Sequence, residues 1–240
     1  MRYYKRRGNL HRHLKQVAVI KMPLDDNRPF IFVLAGVNGA GKSSVGGHLL
    51  ADVGLTWYNP DSFARELIQL SGVTQAEGNS QAWEYGRAQL ENAIQKKLNF
   101  AFETTLGANS IPNMLLKATK THHVMVWFCG LSSPEQHIAR VEKRVANGGH
   151  AIPEQKIHER WVNSRINLIK LMPHLTYLQL FDNSQEVADH EDITAPVLIL
   201  EMQNGKLLFP TLQNTETLLN TPDWAKPMVQ AAIELGESIN

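Results

Sequence analysis

Five short apolar runs, Phe30–Ala35, Leu55–Tyr58, Phe100–Phe102, Val124–Phe128 and Tyr177–Phe181, alternate along the chain with stretches whose apolar residues recur every three or four positions. The runs read as strands and the periodic stretches as helices. Strict strand–helix alternation predicts an α/β protein with a parallel five-stranded sheet flanked by helices. The face Trp83, Leu90, Ile94 and Leu98 predicts a long helix before the third run, and residues 61–70 a shorter one after Asn59-Pro60-Asp61. Between the fourth and fifth runs lie two more helical faces, Ile138, Val141 and Val145, then Ile157, Trp161 and Leu168, separated by Gly148-Gly149. A helical pair with a glycine joint reads as a lid, at about 133–172. Beyond Pro196, two apolar runs flank Asn204-Gly205, the dipeptide of a type I′ hairpin, and a last helix is expected to start at Thr221-Pro222-Asp223. The expected organisation is a basic extension over 1–28, a core over 29–185 that carries the lid, and a C-terminal hairpin and helix over 186–240 packed on it.

The turn after the first strand changes the picture from a fold class to a site. Gly36-Val37-Asn38-Gly39-Ala40-Gly41-Lys42-Ser43 fits G-x-x-x-x-G-K-[ST] at every fixed position, between a strand and a helix that begins near Lys42. The fold is therefore expected to be that of a P-loop NTPase. Glycines let the backbone turn its N–H groups onto a polyphosphate, and a helix N-terminus adds positive potential. Lys42 would reach the β- and γ-phosphates and the Ser43 hydroxyl would ligate Mg²⁺. Gly36, Asn38, Gly39, Ala40, Gly41, Lys42, Ser43 and Ser44 form the candidate nucleotide site, with Asn183, after the fifth strand, as a candidate adenine contact.

Charge and cysteine usage narrow the class. Arg2, Lys5, Arg6, Arg7, Arg12 and Lys15 stand without an acid among them, which leaves the other residues with 18 bases against 23 acids. An acidic body lacks the basic groove that a polynucleotide substrate needs. The single cysteine, Cys129, excludes an internal disulfide and a cysteine-based zinc site; it reads as a small buried residue at a strand end. No apolar run approaches the roughly 20 residues of a membrane span, and a cytoplasmic protein is expected.

Other residues decide among the users of such a loop. The [NT]-K-x-D of GTPases and the L-S-G-G-Q of transporter ATPases are missing, and the fourth strand ends in Cys129-Gly130 without a metal-binding aspartate. Asp61 and Glu103 instead follow neighbouring strands at the carboxyl edge of the sheet, where ligands collect. Transfer of a phosphoryl group to an alcohol needs a carboxylate that accepts the hydroxyl proton, and Asp61 is the candidate base, in a position that also suits a helix cap. Glu103 would hold substrate hydroxyls or a water on Mg²⁺, and Thr105 would help hold the acceptor. Arg140 and Arg144, four residues apart on one lid helix, and Arg160 on the other are the candidates to stabilise charge on the moving phosphoryl group. His150 follows the glycine pair as a further phosphate contact or a plain loop residue.

Together these pieces resemble the zeta toxin family of P-loop kinases, over roughly residues 30–185: Gly36 to Ser44, Asn59-Pro60-Asp61, Phe102-Glu103-Thr104-Thr105-Leu106, the stretch from Arg140 through Gly148-Gly149-His150-Ala151-Ile152-Pro153, Arg160, and Asp182-Asn183-Ser184. The resemblance implies Mg-ATP as phosphoryl donor, Lys42 and Ser43 on phosphates and metal, Asp61 as base, Glu103 and Thr105 at the acceptor, and lid arginines including Arg140 on the γ-phosphate. It also implies a small-molecule acceptor, the sugar hydroxyl of UDP-N-acetylglucosamine in described members, and an antitoxin protein as partner. The sequence departs from the family pattern at Gly107, where those toxins carry an arginine, and at His150, which falls on a lid arginine. An ATP-dependent switch acting through a protein partner and a polynucleotide 5′-hydroxyl kinase remain open from the residues alone.

Overall fold

The computed structural model describes residues 26–43, 46, 57–185 and 195–239. Ser44, the basic arm over residues 1–15, and Leu55 and Thr56 of the second expected strand lie outside them. Among the described residues six strands form one sheet: β1 (Phe30–Ala35), β2 (Phe100–Thr104), β3 (His123–Gly130), β4 (Tyr177–Asp182), β5 (Val197–Gln203) and β6 (Lys206–Phe209), in the order β2-β1-β3-β4-β5-β6. The first four are mutually parallel, whereas β5 and β6 are antiparallel to their neighbours. The sheet thus differs from the five parallel strands expected. Of the second expected strand the described residues show one parallel bridge, Tyr58 to Phe102, and the C-terminal hairpin continues the sheet. Asn204 and Gly205 both take positive φ, 49° and 77°, the geometry their I′ turn requires.

Side-chain alternation splits each central strand between two cores. Ile31, Val33, Val124, Val126, Phe128, Leu178 and Leu180 face one side; Phe32, Leu34, Met125, Trp127, Cys129 and Phe181 face the other. The first side is covered by α2 (Gln75–Lys96), α3 (Ser110–Ala118), α5 (Glu154–Leu171) and α7 (Lys226–Ile239) through Leu90, Leu115, Leu168, Leu171, Met228 and Val229. On the second, Gly46 lies so close to Leu34 that a β-carbon would meet its side chain. Two apolar faces read from the sequence shift. In α2 the buried positions are Gly78, Ala82, Leu90 and Ala93, while Trp83 and Leu98 are each 47% exposed. The last helix starts at Lys226: Thr221 to Ala225 form a turn that seats the Trp224 ring against Gly130, the end of β3.

α1 (Pro60–Ser71) starts on the Asn59 side chain, whose Oδ1 accepts from the Ser62 N–H at 3.1 Å. The cap is therefore Asn59, and Asp61 is free to project from the first turn. α4 (Pro134–Ala146) starts on Ser133 with Pro134 behind it. The expected lid, 133–172, corresponds to α4 and α5, and the N-terminal half of α5 faces the glycine-rich turn through Ile157. Leu168 and Leu171 anchor the other half in the core, and exposing them would cost about 1.5–3 kcal/mol each. Val37 of the glycine-rich turn packs with Val141 of α4 and Ile157 of α5, so both helices of the expected lid are seated on that turn.

Candidate active site

Most of the described residues assigned to chemistry from the sequence gather at the carboxyl ends of β1 and β2, beneath α4 and α5; Arg140 does not join them. Gly36, Gly39 and Gly41 hold φ of 138°, 84° and 83°, which lets the 36–41 turn close between strand and helix. A β-carbon on Gly36 would strike the Cys129 carbonyl oxygen, and one on Gly41 the Asn183 amide. The Asn183 Nδ2 donates to the Ala40 carbonyl at 2.9 Å, so the side chain expected at adenine braces the turn. Lys42 bends back, with Nζ donating to the Val37 carbonyl at 3.3 Å across the cradle. This concavity of backbone around one lysine fits a polyphosphate.

Glu103 sits at the centre of a second cluster and is 6% exposed. Its Oε2 accepts from the Ser43 hydroxyl at 3.2 Å, and its Oε1 from Trp57 Nε1 at 3.0 Å and Asn59 Nδ2 at 2.9 Å. Asn59 Nδ2 also lies 3.3 Å from the Ser43 Oγ. This places Glu103 beside the serine. Hard oxygens so arranged suit Mg²⁺, which takes few protein ligands and shares the rest with phosphate and water. Among the described residues no group of three or more His, Cys, Asp or Glu could hold a metal by itself.

Asp61 faces a cavity of about 420 Å³ whose wall includes Lys42, Glu103, Thr105, His150 and Arg160. Its carboxylate lies 3.6 Å from Arg144 Nη1 and 4.0 Å from His150 Nε2. Arg144 also donates through Nη2 to the His150 carbonyl at 3.2 Å, and Gly149 leaves room for it, since a β-carbon there would stand 2.7 Å from Arg144 Cγ. The Arg144 and Asp61 side chains are 36% and 42% exposed, and a pair so wet is worth at most about 1 kcal/mol. Its effect is positional: lid and carboxylate are held together. Burial lowers the pKa of His150 against the opposing pull of Asp61, with Arg144, Arg65 and Arg160 adding to the lowering.

The lid arginines part company. Arg160 Nη1 donates to Asn38 Oδ1 at 2.6 Å, and burial is the main cause that lowers its pKa. Its side chain lies across Gly107, where a β-carbon would come within 2.5 Å of Arg160 Cγ, so the small residue makes room for the arginine. Arg140 turns away: its Nη2 donates to the carbonyls of Asn183 at 2.8 Å and Gln185 at 3.1 Å, and it is not in the cavity wall. Thr104 and Thr105 hydroxyls accept from the Leu106 and Gly107 N–H groups at 3.1 and 3.3 Å, shaping the turn after β2. Burial pushes the Cys129 thiol up to about 12, in line with a structural residue.

Trp57, Trp83 and His137 contribute to the site without having been given a chemical role from the sequence. Trp57 supplies a donor to Glu103, and Trp83 and Arg87 of α2 line the cavity, with the Arg87 guanidinium 5.9 Å from the Trp83 ring centre. The third is His137, 1% exposed in α4, whose Nδ1 lies 2.8 Å from the Asn38 carbonyl. Its i, i+4 spacing from Val141 marks the buried face and was the available signal. Burial holds the pKa of His137 down at about 4, helped by Lys42 and Arg140 and opposed by the Asn38 bond. The unfolded chain binds this proton near pH 6.5 and the folded chain only near 4. The stability this histidine confers is complete above 6.5 and is lost as pH falls to 4. Urea unfolding of the wild type should lose roughly 3 kcal/mol more across that window than His137→Asn does; parallel curves would refute it.

A family model, Zeta toxin, matches residues 15–194, three quarters of the chain. An uncharacterised protein of Haemophilus influenzae is 33% identical over 70 residues, 29% of this chain, and the match spans half the length of that relative. The crystal structure of AvrRxo1-ORF1:-ORF2 with ATP superposes with a TM-score of 0.59 at 16% identity, covering 92% of this chain and 72% of that one. A structure from the PezAT chromosomal toxin-antitoxin system of Streptococcus pneumoniae gives a TM-score of 0.51 at 16% identity, covering 98% and 96%. At such identities the two structures establish a shared fold. No helix among the described residues is long and apolar enough to cross a membrane.

Proposed function

Because this chain belongs to the zeta toxin family of P-loop kinases, we propose that it transfers the γ-phosphate of ATP to a hydroxyl of a small molecule held in the cavity beside Asp61. The observation that carries this reading is the placement of Asp61 and Lys42 in the wall of one 420 Å³ cavity. Asp61 accepts the proton of the acceptor alcohol as its oxygen bonds to the terminal phosphorus and the bond to ADP breaks. The backbone of 36–41 and Lys42 hold the phosphates. Ser43, which contacts Glu103 and Asn59, would hold Mg²⁺, and the ion would supply charge neutralisation. Arg160, from the cavity wall, stabilises the equatorial oxygens, Arg144 aims the Asp61 carboxylate, and Arg140 braces the loop after β4.

The acceptor is expected against the part of the cavity wall that includes Thr105, Trp83 and Arg87. UDP-N-acetylglucosamine is the first acceptor to test, and Gly107, whose space Arg160 takes, is where this chain would differ in selecting it. Incubation with γ-labelled ATP and either this sugar nucleotide or a metabolite extract should label a small molecule; label found only as free phosphate would overturn the reading. We further propose a cytoplasmic protein restrained by an antitoxin, in keeping with the toxin-antitoxin system to which one structural relative belongs. Induced wild-type protein should then arrest growth of its host cell within a generation or two while Asp61→Asn should not. Equal arrest by both would remove the toxin role.

A further inference from the structure

The phosphate-binding turn owes one of its peptide orientations to a residue outside the motif. We propose that His137 is a positioning residue for nucleotide binding, locking the Asn38–Gly39 peptide so that the Gly39 N–H faces the phosphates. A carbonyl oxygen only accepts, so the His137 Nδ1 that meets the Asn38 oxygen at 2.8 Å must carry the hydrogen. In a trans peptide the C=O and the next N–H point in opposite directions. With the Asn38 oxygen held toward α4, the N–H of Gly39 points the other way, into the cradle. Gly39 has φ 84° and no side chain, so this peptide is otherwise free to flip and would then turn an oxygen toward the phosphates.

Other contacts make the lock specific. The His137 carbonyl stands 2.8 Å from where a Gly39 β-carbon would be, so α4 presses on the turn at that very peptide. The Asn38 side chain is held separately, by Arg160 of α5 through its Oδ1 at 2.6 Å. Each of the two lid helices thus grips one residue of the motif, α4 by its backbone and α5 by its side chain, and seating of the lid and readiness of the turn are one event. His137 stays neutral at physiological pH, since burial keeps its pKa at about 4, so it adds no charge to a site that already holds Lys42.

This inference rests on the reading that ATP binds at 36–43, and it is tested by binding as well as turnover. Calorimetric titration of MgATP into His137→Leu should show a Kd raised about tenfold, the loss expected for one buried hydrogen bond. His137→Asn, whose Nδ2 replaces Nδ1, should stay within about twofold of wild type. Leu200→Ala, a core truncation in β5, serves as the destabilised control and should keep the wild-type Kd. Hydrogen exchange at the 36–41 amides should quicken in His137→Leu alone. A wild-type Kd in His137→Leu, equal weakening in Asn and Leu variants, or equal weakening in Leu200→Ala would each overturn the proposal. Should the wild type bind MgATP but transfer no phosphate, the kinase reading fails while the binding comparison still decides this one.

Discussion

Asp61→Asn is expected to bind MgATP like the wild type and to phosphorylate its acceptor about a thousandfold more slowly, the scale of a lost general base. The amide keeps the size of the carboxylate, so the cavity wall survives, and Arg144 keeps its bond to the His150 carbonyl. What disappears is a group able to take the hydroxyl proton. The loss should appear in kcat with KM for ATP changed little if, as proposed, Asp61 faces the acceptor and the 36–43 turn holds the phosphates. Single-turnover assays with labelled ATP separate the two constants. A tenfold loss or less would mean that the alcohol is deprotonated elsewhere and would leave Asp61 as an orienting residue.

Gly36→Ala is the second large effect, and it acts on the fold. At φ 138° an L-residue is strained, and the added methyl would run into the Cys129 carbonyl of β3, a backbone atom that cannot rotate away. Strain of this kind costs about 1–3 kcal/mol before the clash is counted, so a total of about 3 kcal/mol or more is expected. A domain whose whole stability is about 5–15 kcal/mol would lose a large share of it. β1 or the turn must shift to relieve the contact, and either displaces the 36–41 amides. Chemical unfolding should register the loss, with MgATP binding abolished at the same time. Gly148→Ala makes a useful contrast: its φ of 85° carries the strain, but nothing lies within 4 Å of the new methyl, so only the smaller cost applies.

Local chemistry wrote much of this protein into its sequence. The phosphate-binding turn needs glycines at positive φ and a lysine at fixed spacing, and no other residue types meet those demands. The I′ turn at Asn204-Gly205 and the buried runs of β1, β3 and β4 are legible for the same reason, since each is decided within a few residues. Asp61 and Glu103 were legible as a pair because a parallel sheet delivers its strand ends to one edge.

Long-range packing decided the rest. Whether Trp83 covers a core or lines a cavity depends on what α2 meets, and hydrophobicity alone favours the core. The hairpin joins the main sheet because β4 has an open edge for β5 to pair with, a fact of strand order that no local window contains. One oxygen of Glu103 meets Ser43 while Trp57 and Asn59, more than forty residues earlier in the chain, hold the other. His137 meets Asn38 across a separation of 99 residues. Sequence alone determined the loop, the strands and the candidate carboxylates, whose conformations are set by neighbours along the chain. Tertiary structure alone decided which side chains converge on them, because that depends on contacts between segments far apart in sequence.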